Sequence, residues 1–127
     1  PFDFLGFTHI CGVSRKGQFK VLRHTASKRL RRAISRVAAW CREHRHLAVP
    51  VQWRYLCSVL RGHYQYYGVT DNLRSLEAFR LWLCRAWRKW LDRRSQRGHM
   101  SWERFAAVLR RYPLPAAWLP RSVYRLA

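Results

Sequence analysis

Acidic side chains are nearly missing from this sequence: six Asp and Glu stand against 26 Lys and Arg, for a net charge of +20 at pH 7. The acids, Asp3, Glu43, Asp71, Glu77, Asp92 and Glu103, are isolated from one another, so no carboxylate pair suggests two-metal chemistry. No glycine-rich phosphate loop precedes a helix, and no nucleophile signature occurs. Cysteine is sparse and scattered. Cys11, Cys41, Cys57 and Cys84 contain no C-x-x-C pair, which reads as reduced core residues of a cytosolic protein. Cys41, His44 and His46 could be arranged as three metal ligands, but a fourth is not in sight and Arg42 and Arg45 make the segment cationic; no metal site is expected. No apolar run is long enough to span a bilayer, none has the layout of a signal peptide, and no internal repeat is present.

What the sequence does have is Arg and large apolar side chains. Aromatic residues make up 15% of the chain, including seven Trp, enough to bury a core that offsets the ordering entropy of a single domain or of two small lobes sharing one core. Cations at this density repel one another, and a polyanion that releases counterions on contact relieves the repulsion. Arg outnumbers Lys, and guanidinium makes bidentate phosphate contacts and stacks on bases, so nucleic acid is favoured over an anionic membrane surface.

Phe2 to Cys11 and Gln18 to His24 are rich in aromatic and β-branched residues and flank a turn-like stretch, Gly12 to Gly17, which predicts a β-hairpin. From Ser27 the period changes. At about 100° per residue, Leu30, Ile34, Val37, Ala38, Trp40 and Cys41 share one half of a helix, and Lys28, Arg29, Arg31, Arg32, Arg36 and Arg42 take the other. Arg29, Arg32 and Arg36 are expected at the centre of that basic arc, opposite Leu30, Val37 and Cys41. Thr25 or Ser27 can cap this helix, which should fail before Pro50. A second helix is predicted from about Val51 to Tyr67, with Trp53, Leu56, Cys57, Leu60, Tyr64 and Tyr67 inward, ending at Gly68. Asp71 or Asn72 can cap a third, reaching roughly Arg93, with Leu76, Phe79, Leu83, Ala86, Trp87 and Trp90 inward. Ser101 can cap a shorter fourth through about Arg111, and Pro113, Pro115 and Pro120 make the remainder an extended tail. The expected class is therefore mainly α: an N-terminal β-hairpin (residues 1–24), a bundle of three long amphipathic helices with a shorter fourth (25–112), and a proline-containing tail (113–127).

Solvated helix faces usually interleave acids with bases, yet the face from Ser27 to Arg42 has no acid, which favours phosphate binding by Lys28, Arg29, Arg31, Arg32 and Arg36. Gly62-His63-Tyr64-Gln65-Tyr66-Tyr67-Gly68 sets aromatics beside Arg61 and Arg74. Tyr64 and Tyr67 fall on the core stripe, and His63 and Tyr66 at its margins are candidates for stacking on unpaired bases. Arg93-Arg94-Ser95-Gln96-Arg97 follows a helix end, where Arg93, Arg94, Gln96 and Arg97 could grip a bent RNA backbone; the bland alternative is a solvated connector.

Phe4-Leu5-Gly6-Phe7-Thr8-His9-Ile10-Cys11 resembles the last block of group II intron reverse transcriptases, where a hairpin grips the primer. Thr25 to Arg32, Gly62 to Val69 with Asn72, Arg93 to Gln96, and Ser101-Trp102-Glu103-Arg104 resemble that family's maturase region in order and spacing. The resemblance covers nearly the whole chain. It implies a thumb of roughly parallel helices that binds intron RNA to assist splicing and clamps template and primer for reverse transcription and retrohoming. It also implies a primer-grip role for Phe4, Leu5, Gly6 and Phe7, and as partners a group II intron RNA, an RNA/DNA template-primer and an upstream catalytic domain in a bacterial-type cytoplasm, with no membrane. The family's polymerase acids would lie upstream of Pro1, so this portion is expected to need no cofactor and not to polymerise alone, the parent polymerase using Mg2+. Asp92 departs from the Asn of many members, and Leu114 to Trp118 lacks a second Pro-Arg-Ile element; the chain also lacks a Cys-bearing nuclease domain, like some members. Two other classes stay open: a stand-alone structural RNA-binding protein, and a helical DNA-binding module, although the basic helices carry few of the Asn and Gln readers that such a module uses.

Overall fold

Apolar residues recurring near every 3.6 positions dominate from Ser27 onward, and each periodic segment forms a helix. A computed structural model of the protein describes residues 2–13, 19–69, 71–95 and 98–120. Within them lie strands β1 (Phe2–Phe4), β2 (Phe7–Val13) and β3 (Phe19–Thr25), then helices α1 (Ser27–Glu43), α2 (Val49–Tyr67), α3 (Leu73–Asp92) and α4 (Trp102–Arg111). The architecture is mainly helical behind an N-terminal antiparallel hairpin, the class that the periodicities predict.

β2 and β3 form that hairpin, from Phe7 opposite Thr25 to Val13 opposite Phe19. The predicted first strand is divided in two. Leu5 and Gly6 take φ of 53° and 84°, making a two-residue turn that folds β1 back along β2. A left-handed Leu costs about 1–2 kcal/mol. The turn is held from outside: the Tyr66 hydroxyl donates to the Leu5 carbonyl at 3.0 Å, and the Ala26 N–H donates to the Gly6 carbonyl at 2.9 Å. Of the turn predicted over Gly12 to Gly17, Gly12 lies in β2 and 14–17 are outside the described residues.

The helix ends correct several expectations. α1 is entered through Ala26, without a side-chain cap from Thr25 or Ser27. α2 starts at Val49 and carries Pro50 in its first turn, where a missing N–H costs nothing because it would have no intrahelical partner. Asn72 precedes α3 but its side chain makes no cap bond, and Asp71 sits at φ 77°. Of the expected N-caps only Ser101 caps through its side chain, its Oγ accepting from the Arg104 N–H at 3.1 Å, and Gly68 ends α2 as expected.

The Asn72 amide is occupied elsewhere. Its Oδ1 accepts from the Thr25 N–H at 2.7 Å, and its Nδ2 donates to Thr25 Oγ1 at 2.8 Å and to the Tyr67 carbonyl at 2.7 Å. The start of α1, the end of α2 and the start of α3 therefore meet at one buried residue. At the opposite end the Arg45 guanidinium lies 5.9 Å over the Trp90 ring, so α1 and α3 run parallel with α2 antiparallel between their ends.

The core joins Val37 and Cys41 of α1, Leu56, Leu60 and Tyr64 of α2, and Leu76, Phe79, Leu83, Trp87 and Leu91 of α3. Phe105 of α4 meets Trp87 edge-on at 5.6 Å. Trp87 is wholly buried, and its indole N–H donates to Gln52 Oε1 at 3.0 Å while Gln52 Nε2 donates to the Leu47 carbonyl at 2.8 Å. This buried amide is thus satisfied on both sides. Cys41, Cys57 and Cys84 are free and buried, and burial pushes the Cys41 thiol up to about 12.

Residues 113–119 form no regular helix or strand and Pro120 lies in a turn, and the segment is docked as a strap. Trp53 Nε1 and the Tyr64 hydroxyl donate to the carbonyls of Pro113 and Pro115, each at 2.8 Å, and Arg80 donates to those of Leu114 and Pro115 at 3.2 Å. Leu114 is buried in the core cluster. Gly68 lies so close to Pro120 and the Tyr64 carbonyl that no Cβ would fit there. Among the described residues no helix is long and apolar enough to cross a membrane.

Replacing Asn72 with Ala orphans the buried Thr25 N–H, which costs about 1–3 kcal/mol, and removes one donor each from the Thr25 hydroxyl and from the Tyr67 carbonyl, which keeps the Val69 N–H at 2.9 Å, at about 1 kcal/mol apiece. Asn72→Ala is therefore expected to lose about 3 kcal/mol in urea unfolding, and Asn72→Asp, which keeps the acceptor but cannot donate to Tyr67, to remain well below wild type. A loss under about 1 kcal/mol would show that the junction is held by other contacts.

Candidate nucleic-acid interface

α1 lies against α3 along its Leu30, Val37 and Cys41 side, leaving Lys28, Arg31, Arg32, Ser35, Ala39 and Arg42 exposed. None of the first turns of α1, α2 and α3 holds an acid. Lys28 and Arg29 thus stand at the positive end of a helix dipole, an arrangement that costs stability alone and is relieved by an anion.

Arg29, Arg32 and Arg36 do not all occupy the centre of this arc. Arg29 and Arg36 are exposed, but they turn toward α2 and line a cleft with Ala33, Val37, Tyr55, Val59, His63, Tyr67 and Phe79. Positions 29, 33, 36 and 40 form one stripe, and Trp40 at its end lies flat on Tyr55 of α2, centroids 3.9 Å apart and planes 9° apart. Lys28 and Arg32 remain on the outer arc, while Arg31 faces a shallow groove beside Trp82 of α3.

The aromatic candidates of α2 divide. Tyr66 is half exposed, yet its ring is parallel to Phe7 at 6.2 Å and its hydroxyl braces the Leu5 turn. Phe7 also meets Tyr67 edge-on at 5.3 Å. Of the primer-grip candidates, Leu5 is exposed at the turn, Gly6 and Phe7 are buried, and Phe4 is placed in β1 with its side chain outside the described residues. His63 is buried and stacks on Phe79, centroids 3.8 Å apart. Burial holds its imidazole down at about 4, so it is neutral at pH 7, and its Nε2 has no hydrogen-bond partner.

The remaining cations are spread out. Arg61 is exposed on the outer side of α2, Arg74 on the first turn of α3, and Arg93 just past the other end of α3, roughly 28 Å from Arg74 at 1.5 Å per residue. Arg94 is half-buried, and Gln96 and Arg97 lie outside the described residues. A grouping that the sequence reading missed surrounds Trp90: Lys89, Arg93 and Arg45 lie 5.1, 5.5 and 5.9 Å from its ring centre. Lys89 and Arg93 were legible as helical neighbours of Trp90, but Arg45 arrives from the α1–α2 loop. Asp92 closes the loop after α3, its carboxylate accepting from the Met100 N–H at 2.6 Å and meeting His99 at 3.1 Å. The Met100 N–H above all, and then His99 and Arg88, hold that carboxyl below its ordinary value. Cys41 is in the core and His46 exposed, and among the described residues no three His, Cys, Asp or Glu side chains come together to hold a metal.

No protein-family model matches this chain, and neither a curated protein nor a solved structure matches it significantly.

His63 carries a pH dependence of known sign. Its folded value near 4 lies below the unfolded 6.5, so its contribution is complete above pH 6.5 and is lost as pH falls toward 4. The loss should reach about 2 kcal/mol by pH 5. Comparing urea unfolding at pH 7.5 and pH 5, His63→Phe should lose that much less than wild type; equal losses would mean that the folded imidazole protonates freely.

Proposed function

We propose that the chain binds structured RNA along the outer face of α1, as the thumb and maturase portion of a group II intron reverse transcriptase. The observation that carries this reading is one helix with Lys28, Arg31 and Arg32 exposed on its outer side and Arg29 and Arg36 exposed along the adjoining cleft, with no acid before Glu43. Each cation that neutralises a phosphate releases condensed counterions, and the same contact relieves the repulsion within a chain of charge +20.

A second support is spatial. Two separate segments carry the family resemblance, Phe4 to Cys11 and Gly62 to Val69, and they touch through Tyr66, Tyr67, Leu5 and Phe7. In this reading the hairpin and helices follow a catalytic domain that supplies the polymerase acids and Mg2+, template and primer run against the hairpin, and intron RNA lies on the helices to be spliced. The protein works in a bacterial-type cytoplasm. Arg93 and Arg94 serve as a second RNA contact at the far end of α3.

The test is a salt titration of binding to a structured RNA and to a DNA duplex of matching sequence. RNA should bind more tightly at equal salt. Lys28→Gln/Arg31→Gln/Arg32→Gln should weaken RNA binding at low salt and make the slope of log K against log salt shallower by about 0.7–0.9 per lost contact. Its melting temperature should hold or rise, because three repelling charges are gone. An unchanged slope and affinity would reduce this face to a solvated one, and preference for the DNA duplex would favour a DNA-binding module.

A further inference from the structure

The cleft between α1 and α2 encloses about 260 Å³ and combines three features that a plain charged face lacks. First, Arg29 and Arg36 share its α1 wall, two like charges near the same tyrosine: both oppose the rise that burial and Tyr66 impose on the Tyr67 hydroxyl. Second, an aromatic column runs into it. Trp40 lies between His44 at 4.5 Å and Tyr55 at 3.9 Å, with planes 17° and 9° from its own. Trp40 is thereby occupied by both rings, and the column ends at Tyr55, which lines the cleft and is 41% exposed. Third, His63 lines the cleft at 8% exposure with its Nε2 buried and unpartnered. Such a nitrogen is costly to leave empty, and a neutral imidazole can meet either a donor or an acceptor according to its tautomer.

We propose that this cleft takes one unpaired base of the bound RNA, stacked on Tyr55 at the end of the column, its edge hydrogen-bonded to His63 Nε2 and its flanking phosphates held by Arg29 and Arg36. This rests on the RNA-binding reading and adds a specificity to it. The volume falls below the roughly 300 Å³ at which small-ligand pockets begin, which suits a single splayed base better than a cofactor. Stacking an unpaired base on an aromatic ring, with hydrogen bonds to its edge, is how proteins distinguish irregular RNA from a plain helix. The outer arc of Lys28 and Arg32 adjoins the cleft-lining stripe on the same helix. A duplex lying on that arc would deliver a bulged nucleotide into the cleft without leaving the helix.

Two hairpin RNAs of equal length decide the matter, one fully paired and one with a single-nucleotide bulge carrying 2-aminopurine. The bulged RNA should bind wild type about tenfold more tightly, the contribution of one stacked base, and its fluorescence should be quenched on binding. Tyr55→Ala should bring it down to the affinity of the paired RNA, whereas Tyr55→Phe should keep the preference. His63→Phe, which retains the ring over Phe79 but not the nitrogen, should reduce the preference several-fold. Equal binding of the two RNAs by wild type, with no quenching, overturns the proposal while leaving the RNA reading intact. Failure of both RNAs to bind sinks that reading itself. Displacement of the bulged RNA by micromolar AMP would instead make the cleft a free-nucleotide site and overturn the proposal.

Discussion

The amide of Asn72 is the contact on which the remaining geometry depends. One side chain accepts from the Thr25 backbone and donates to the Thr25 hydroxyl and the Tyr67 carbonyl, so three chain segments converge on it. Only an uncharged group that both donates and accepts can satisfy all three partners in a buried position. With β3 and the entry to α1 pinned there, the Leu5 turn reaches Tyr66, and Arg29 comes opposite His63 and Tyr67. The cleft between α1 and α2 is a consequence of that junction, not of any local preference in either helix.

A chain of charge +20 keeps a stable interior by sorting its cations according to use. The half-buried Arg80 and Arg88 donate to backbone carbonyls of Leu114, Pro115 and Met100 and thereby fasten the strap and α4. Arg88 also lies 4.2 Å over Trp102. Those of α1 are exposed on the surface. Sorting of this kind separates folding from binding: cations on the outer arc can be neutralised without disturbing Trp87, Gln52 or Leu114, whereas the loss of Arg80 would free the strap.

In the proposed function the bases of recognition divide in the same way. Phosphate attraction needs only density and exposure, which the outer arc has, and it reads no sequence. Discrimination between regular and irregular RNA needs a shaped, partly desolvated site with an unmet hydrogen bond, and the cleft that His63 and Tyr55 line meets that description. The arc is on α1 and the cleft lies between α1 and α2, with Arg29 and Arg36 of α1 on its wall, so in the proposed reading a single docking pose can use both.

Helix spans were legible in the residues because a 3.6 period is a local property: α2, α3 and α4 begin and end within two residues of the predicted limits, and α1 begins at Ser27 and ends before Pro50 as expected. The hairpin and the Ser101 cap were legible for the same reason, each depending on neighbours a few positions away. The basic outer face of α1 followed from that period and the scarcity of acids alone. Other features depended on partners distant in sequence. Asn72 looks like a helix cap until Thr25, 47 residues away, takes its amide, and Gln52, absent from the inward face predicted for α2, is bonded by Trp87 across 35 residues. The strap looks like a loose tail until Trp53, Tyr64 and Arg80 claim its carbonyls. A helical wheel refers every position to one core direction, but α1 packs against two neighbours. The turn of Arg29 and Arg36 into a cleft was therefore decided by where α2 lies, which only the tertiary structure sets.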